Sequence, residues 1–141
     1  MGAPGAGISA YWTSGDSFVA DVRAHFLTTD QPYDAGGLDL GPTPVELLVV
    51  SLGTCIGFAA ERYMRRHDID AEGLRVQCRF QMAERPARVS RIDVCVALPP
   101  SFPPQRLDGL RAVVDRCTVQ NTMRRPPEVR VELEQVARAA S

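Results

Sequence analysis

The sequence predicts an α+β fold with a mainly antiparallel sheet, and three observations carry that prediction. Two pairs of segments alternate apolar and polar residues with period two across turn formers, so each pair reads as a hairpin. Two helical patterns, one of them long and almost wholly apolar, are interleaved with the hairpins. A last alternating segment closes the chain, giving the order hairpin, helix, hairpin, helix, strand. At 141 residues the prior is one domain over 1–141 with its own core. Residues 1–7, rich in Gly and Pro, read as a frayed tail.

Ile8 to Trp12 reads as the first strand, Thr13 to Asp16 as a turn, and Phe18 to Phe26 as a second strand with strict alternation. Phe18, Ala20, Val22, Ala24 and Phe26 take one face of it, and Val19, Asp21, Arg23 and His25 the other. Thr29 to Gly37 is dense in turn formers and reads as a loop, with Leu38 and Leu40 as a short third strand. The long helix extends over Gly41 to Asp68. Thr43 is its N-cap, and Pro44 sits in the first turn, where a missing N–H costs nothing.

From Leu47 to Ala60 this helix carries no charge and has apolar residues on every face, the pattern of a helix surrounded by protein. The 14 uncharged residues fall short of the ~20 that cross a bilayer, and Arg62, Arg65, Arg66 and His67 follow, where the macrodipole favours cations. Gly53 and Gly57, four positions apart, allow another backbone to come close, either a sheet or a second copy of the chain.

Gly73 opens the second hairpin. Leu74 to Met82 places Leu74, Val76, Cys78, Phe80 and Met82 on one face, Glu84 to Arg88 turns the chain, and Val89 to Leu98 returns. In the returning strand Ile92, Val94, Val96 and Leu98 lie opposite Cys95. Cross-strand partners share a face, so a Cys78 to Cys95 disulfide is not expected. Pro99 to Pro104 presets a second helix, Gln105 to Cys117, with Leu107, Leu110, Val113, Val114 and Cys117 on its inner stripe. A turn, Thr118 to Met123, leads to the last strand, Val129 to Val136. Two apolar helices and two one-sided hairpins are more than one chain can cover, so a homodimer is expected.

A net charge of -1 gives no electrostatic footprint for nucleic acid or an anionic membrane. The N-terminus lacks a charged start followed by an apolar block, which makes the cytoplasm the default compartment. Cys55, Cys78, Cys95 and Cys117 lie far apart with no C-x-x-C pair, against both a zinc knuckle and a disulfide scaffold. His25 and His67 have no partner at metal-ligand spacing. Cys55 then has two readings, a small buried hydrophobe or a redox thiolate with Cys117 as the second thiol. A disulfide between them requires Cα atoms within ~7 Å.

Two motifs make a resemblance specific. GPTPVELLVVSLGTC, Gly41 to Cys55, and CTVQNTMRRPPEV, Cys117 to Val129, occur in the order found in the OsmC/Ohr family of osmotically inducible and organic hydroperoxide resistance proteins, which the chain resembles over nearly its whole length. The P-x-E-L-L spelling is similar to the OsmC-like branch. The resemblance implies an intertwined homodimer with central helices between sheets, and a cysteine-based peroxidase that uses no metal or other cofactor. It maps the peroxidatic cysteine onto Cys55 and the resolving cysteine onto Cys117, with an external dithiol or a lipoylated protein as reductant. It also implies an arginine just after the first strand, held by a glutamate near the helix start. Here Gly15, Asp16 and Ser17 occupy the first place and Val45 the second, with Glu46 beside it.

Burial of a thiol in an apolar helix raises its pKa, so a cation or donor has to compensate. Arg62, seven residues after Cys55, lies on nearly the same helix face and is the candidate cation. Glu46, ~13.5 Å along the axis from Cys55, is a helix-start acid first and a supporting residue second. Gln120, where many relatives carry histidine, offers a donor or acceptor beside Cys117. Arg23, Arg124 and Arg125 read as solvated charges. Two functions follow: a thiol-dependent peroxidase acting on organic hydroperoxides through a Cys55 sulfenic acid and a Cys55–Cys117 disulfide, or a redox-inert or sensing dimer that binds a small apolar ligand.

Overall fold

A computed structural model describes residues 7–137; apart from Gly7, the tail expected at 1–7 lies outside the described residues. Among the described residues the architecture is α+β, with two separate antiparallel sheets and three α-helices. Strands β1 (Ser9–Ser14), β2 (Ser17–Val22) and β3 (His25–Thr29) form a meander in that order. The single strand expected over Phe18 to Phe26 is thus two. Arg23 and Ala24, at φ 50° and 66°, turn the chain between them, and Val22 pairs with His25. Both central residues having positive φ makes this the mirror-image turn whose twist suits a two-residue hairpin. As a result Phe26 lies opposite Asp21 and shares its face, not that of Phe18.

The third strand expected at Leu38 and Leu40 does not form. Their N–H groups, 3.3 and 3.2 Å away, donate to Oδ2 of Asp30, and Oδ1 accepts from Gln31 N at 2.7 Å. Asp30 is 2% exposed, so one carboxylate takes up the backbone donors that a strand partner would otherwise satisfy.

Helix α1 (Pro44–Arg66, 23 residues) begins with a capping box. Thr43 Oγ1 accepts from Glu46 N at 3.1 Å and Glu46 Oε1 accepts from Thr43 N at 2.9 Å, which satisfies two N–H groups that the first turn leaves free. By length and composition α1 could cross a bilayer, but it is packed on β4, β5, α2 and α3. Strands β4 (Arg75–Glu84) and β5 (Ala87–Ala97) make the second hairpin about Arg85 and Pro86. Cys78 lies opposite Val94 and Gln77 opposite Cys95, so the two cysteines are on opposite faces; all four cysteines are free.

The glycine pair of α1 faces this sheet. A Cβ on Gly53 would stand 2.7 Å from Cys78 Sγ and one on Gly57 3.2 Å from Val76 Cγ2, so β4 is the close neighbour that the small residues admit.

The expected second helix is shorter than its pattern: a single 3-10 turn (Pro104–Arg106) leads into α2 (Leu107–Val114). The turn expected at Thr118 to Met123 is instead a helix, α3 (Thr118–Arg124), with Cys117 as its N-cap. One core cluster joins Ala60, Tyr63 and Met64 of α1 to Phe102 and Leu110, and the other joins Leu52 and Ile56 to Cys117.

The final strand expected over Val129 to Val136 does not form either. Val129, Val131, Leu133 and Val136 are exposed, Leu133 at 97%. An isolated alternating segment has no ladder partner and so no reason to be a strand. The β1–β3 meander likewise makes its main contacts within itself, leaving Tyr11, Trp12, Phe18, Phe26 and Leu27 exposed. On α1, Leu48, Val50 and Phe58 are exposed too.

Candidate active site

Helical periodicity puts Cys55, Ala59, Arg62 and Arg66 along one face of α1, and the turn from α2 to α3 brings Cys117 against that face. Both cysteines line a cleft of about 350 Å3. Its other lining residues include Phe58, Arg62 and Arg66 of α1, and Arg116 beside Cys117; none is a carboxylate. Among the described residues, none of these three arginines forms an ion pair. Arg62 lies over the ring of Phe58, Cζ 4.1 Å from the centroid, a cation–π contact that holds a guanidinium without neutralising it.

Cys55 is half-buried, and Cys117 is 5% exposed, packed on Leu52 and Ile56. The Cys117 thiol is held above its ordinary value of 9.0, first by burial. A hydrogen bond to Cys55 and negative charge on it push the same way, whereas N–H groups of Gln120 and Val119 pull down. Gln120 N lies 3.4 Å from Cys117 Sγ. The Gln120 side-chain amide donates to Val114 O at 3.0 Å and accepts from Arg124 Nη2 at 2.9 Å. Burial alone raises the pKa of Cys78, which faces α1 from β4 and is remote from this cleft.

Of the residues that the sequence singled out, the cleft gathers Cys55, Cys117 and Arg62, with Gln120 directly behind Cys117. Glu46 does not join them. Its carboxylate closes the capping box and borders a different cleft, of about 620 Å3, between α1 and β4. Arg23 is in the β2–β3 turn, and Arg125 ends α3. Arg124 braces the turn before Cys117, its Nη1 donating to Asp115 O at 3.0 Å. Gly15, Asp16 and Ser17 bring no cation to the cleft. Sequence reasoning missed Arg66 and Arg116. Arg66 is four residues after Arg62 and eleven after Cys55, so the same periodicity that nominated Arg62 also reaches it. No pattern distinguishes Arg116 from any arginine near a helix end.

A family model described as OsmC-like protein matches residues 36–132. The chain belongs to the OsmC family. No curated protein sequence matches it significantly, but solved structures share its fold. An OsmC-like protein from Mycoplasma pneumoniae superposes with TM-score 0.71 at 18% identity, covering 84% of this chain and 86% of its own. The organic hydroperoxide resistance protein OhrB of Bacillus subtilis gives TM-score 0.56 at 17% identity, covering 91% and 96%. A Psychrobacter arcticus 273-4 protein, provisionally described as an osmotic stress induced and detoxification response protein, gives 0.75 at 20%, covering 82% and 85%. Within the OsmC family, then, this chain keeps the fold and carries two thiols, one on α1 and one at the N-cap of α3, in one arginine-lined cleft.

Proposed function

We propose that this OsmC-family chain is a cysteine-based peroxidase that reduces organic hydroperoxides, with Cys55 the attacking thiolate and Cys117 the resolving thiol. The supporting observation is the shared cleft: two free thiols, apolar walls and three guanidiniums with no carboxylate among the lining residues. Apolar walls suit the organic part of the peroxide, and the positive field favours a thiolate and the alkoxide that leaves it. Arg62 serves in place of the arginine that the resemblance implies after the first strand.

Cys55 Sγ attacks the distal oxygen of ROOH; the S–O bond forms, the O–O bond breaks, and RO⁻ leaves, taking a proton to become ROH. Cys117, as thiolate, then attacks the Cys55 sulfenic sulfur. The S–S bond forms, the S–O bond breaks, and hydroxide leaves as water on taking a proton. An external dithiol, free or as a lipoylated protein, returns two electrons and restores both thiols. The sulfurs carry the whole redox change, so the reading calls for no metal or other cofactor.

The working unit in this proposal is a cytoplasmic homodimer. Its support is the apolar surface left open on β1–β3, on α1 and over Val129 to Val136, more than a monomer ordinarily exposes. The test is consumption of cumene hydroperoxide with a dithiol reductant. Turnover is expected, Cys55→Ser should abolish it, and Cys117→Ser should leave the first oxidation intact and stop at the sulfenic acid. Absence of turnover in the unaltered chain, or its survival in Cys55→Ser, would sink the proposal and leave the redox-inert, ligand-binding reading.

A further inference from the structure

Cys117 has to act as a nucleophile from a position packed on Leu52 and Ile56 with 5% of its surface exposed. Burial disfavours the charged sulfur, so the surrounding donors decide whether it can ionise there. Gln120 supplies one and holds the nitrogen of its side chain nearby. Its backbone N–H donates to Cys117 Sγ at 3.4 Å. The nitrogen end of its side-chain amide, which donates to Val114 O at 3.0 Å, also lies 3.9 Å from Cys117 Sγ. The oxygen end accepts from Arg124 Nη2, and Arg124 Nη1 donates to Asp115 O. The amide is therefore anchored on both sides of Cys117, to the end of α2 and to the last turn of α3.

We propose that Gln120 is the positioning residue of the resolving step: its anchored amide holds Cys117 Sγ toward Cys55 and stabilises the Cys117 thiolate as it attacks. This rests on the two-thiol reading in naming Cys117 the resolving partner. The arrangement also orders the two thiols. While Cys55 is a thiolate, its charge pushes the Cys117 thiol up. Once the Cys55 sulfur is bonded to oxygen or to another sulfur it is uncharged, and that opposition ends. The N–H groups of Val119 and Gln120 remain. The other charged or titratable groups around Cys117 are Arg62 and Arg66 of α1, Arg116 of the turn, Arg111 and Asp115 at the end of α2, and Arg124 of α3. β5 packs Ile92, Val94 and Val96 against this cluster.

A thiol-exchange experiment tests the inference without any peroxide. In protein carrying Cys78→Ala and Cys95→Ser, one equivalent of a nitrothiobenzoate disulfide labels Cys55 and releases one coloured thiolate. Cys117 then attacks the Cys55 sulfur; the Cys55–Cys117 bond forms, the mixed disulfide breaks, and the second coloured thiolate leaves. Gln120→Met keeps the length of the side chain without its N–H, and Gln120→Glu replaces the donor with an acceptor. Both should raise the pH midpoint of the second release by about one unit, and slow it about tenfold near neutral pH, with the first release unchanged. The same midpoint and rate in both variants would overturn the inference. So would absence of the second release when Gln120 is present, since Cys117 then does not reach Cys55. A failed peroxidase assay alongside the expected second release removes the proposed function and leaves Gln120's role standing.

Discussion

Replacing Gly53 with alanine measures how tightly α1 is seated on β4. The added methyl would stand 2.7 Å from Cys78 Sγ and 3.8 Å from Val76 Cγ1. Unstrained contacts of this kind lie roughly 3.5–4.0 Å apart, so the sulfur has to yield by about 1 Å or the helix has to lift. Two terms compete. Alanine favours the helix over glycine by about 1 kcal/mol, whereas overpacking a filled site costs about 1–3 kcal/mol. The net effect of Gly53→Ala is then a loss of up to about 2 kcal/mol. In a Cys78→Ala background the obstructing sulfur is gone, only the helix term remains, and the same change should stabilise by about 1 kcal/mol. The double-mutant cycle should accordingly show a coupling of about 1–3 kcal/mol. Urea unfolding of the four proteins at one protomer concentration measures it. Additivity to within about 0.5 kcal/mol would refute the seating argument. Cys55 follows Gly53 by two residues, so a lifted helix should also slow Cys55–Cys117 closure in Gly53→Ala, and Cys78→Ala should restore it.

Asp30→Ala leaves the N–H groups of Gln31, Leu38 and Leu40 without their acceptor and should cost about 2–4 kcal/mol, read by thermal unfolding, with Asp30→Asn costing less. Cys117 and Cys78 both have folded-state pKa values above 9.0, so the native state keeps protons that the unfolded chain loses. Their contribution to stability is full below that value and falls as pH rises through the raised values. Unfolding midpoints measured from about pH 8 to 10.5 should therefore drop, and less steeply in Cys117→Ala. Arg62→Met keeps an apolar chain over Phe58 but removes the charge. At about 1 kcal/mol for a solvent-exposed charge near a thiolate, oxidation of Cys55 by cumene hydroperoxide should slow about fivefold in stopped-flow mixing; an unchanged rate would exclude Arg62 as the supporting cation.

What sequence shows and what it hides here follow from how local each determinant is. Helix α1 was legible because its determinants lie within it: Thr43 and Glu46 close the cap, Pro44 fits the first turn, and uncharged residues extend to Ala60. The opposite faces of Cys78 and Cys95 followed from alternation, but the register shift between Gln81 and Met82 and the narrowing of the expected Glu84 to Arg88 turn to Arg85 and Pro86 did not. The turn at Arg23 and Ala24 was hidden because neither is the Asn or Gly that usually marks positive φ, so an unbroken alternation ran across it. Thr118 to Met123 is too short to show a helical stripe, and its start is capped by a cysteine, a residue outside the usual capping set. The alternation at Val129 to Val136 is real as a pattern, but a strand exists only with a partner. Within the site, Cys55, Cys117 and Arg62 were reachable from motif and periodicity. The backing of Gln120 by Val114 and Arg124 was not, because it depends on the angle at which two short helices meet.

In the proposed peroxidase an apolar helix is a poor host for a thiolate, yet a greasy peroxide needs apolar walls, and Arg62 is the residue that would meet both demands. A carboxylate partner would fix the guanidinium in place but cancel its field at the sulfur. Phe58 fixes it through the ring quadrupole instead, leaves the full positive charge, and itself supplies hydrocarbon to the same cleft. Arg66 and Arg116 extend that field without an acid among the lining residues to offset it. In the proposed reaction that positive charge serves Cys55, while burial and negative charge at Cys55 push the Cys117 thiol up. Under the proposed mechanism the balance at Cys117 passes to the N–H groups behind it only once Cys55 is oxidised. An alkylation experiment reads this directly. Cys117 should react faster in Cys55→Asn, where the neighbouring side chain is uncharged, than in Cys55→Asp, where a negative charge stays beside it. Equal rates in the two would show that the Cys55 charge has no hold on Cys117.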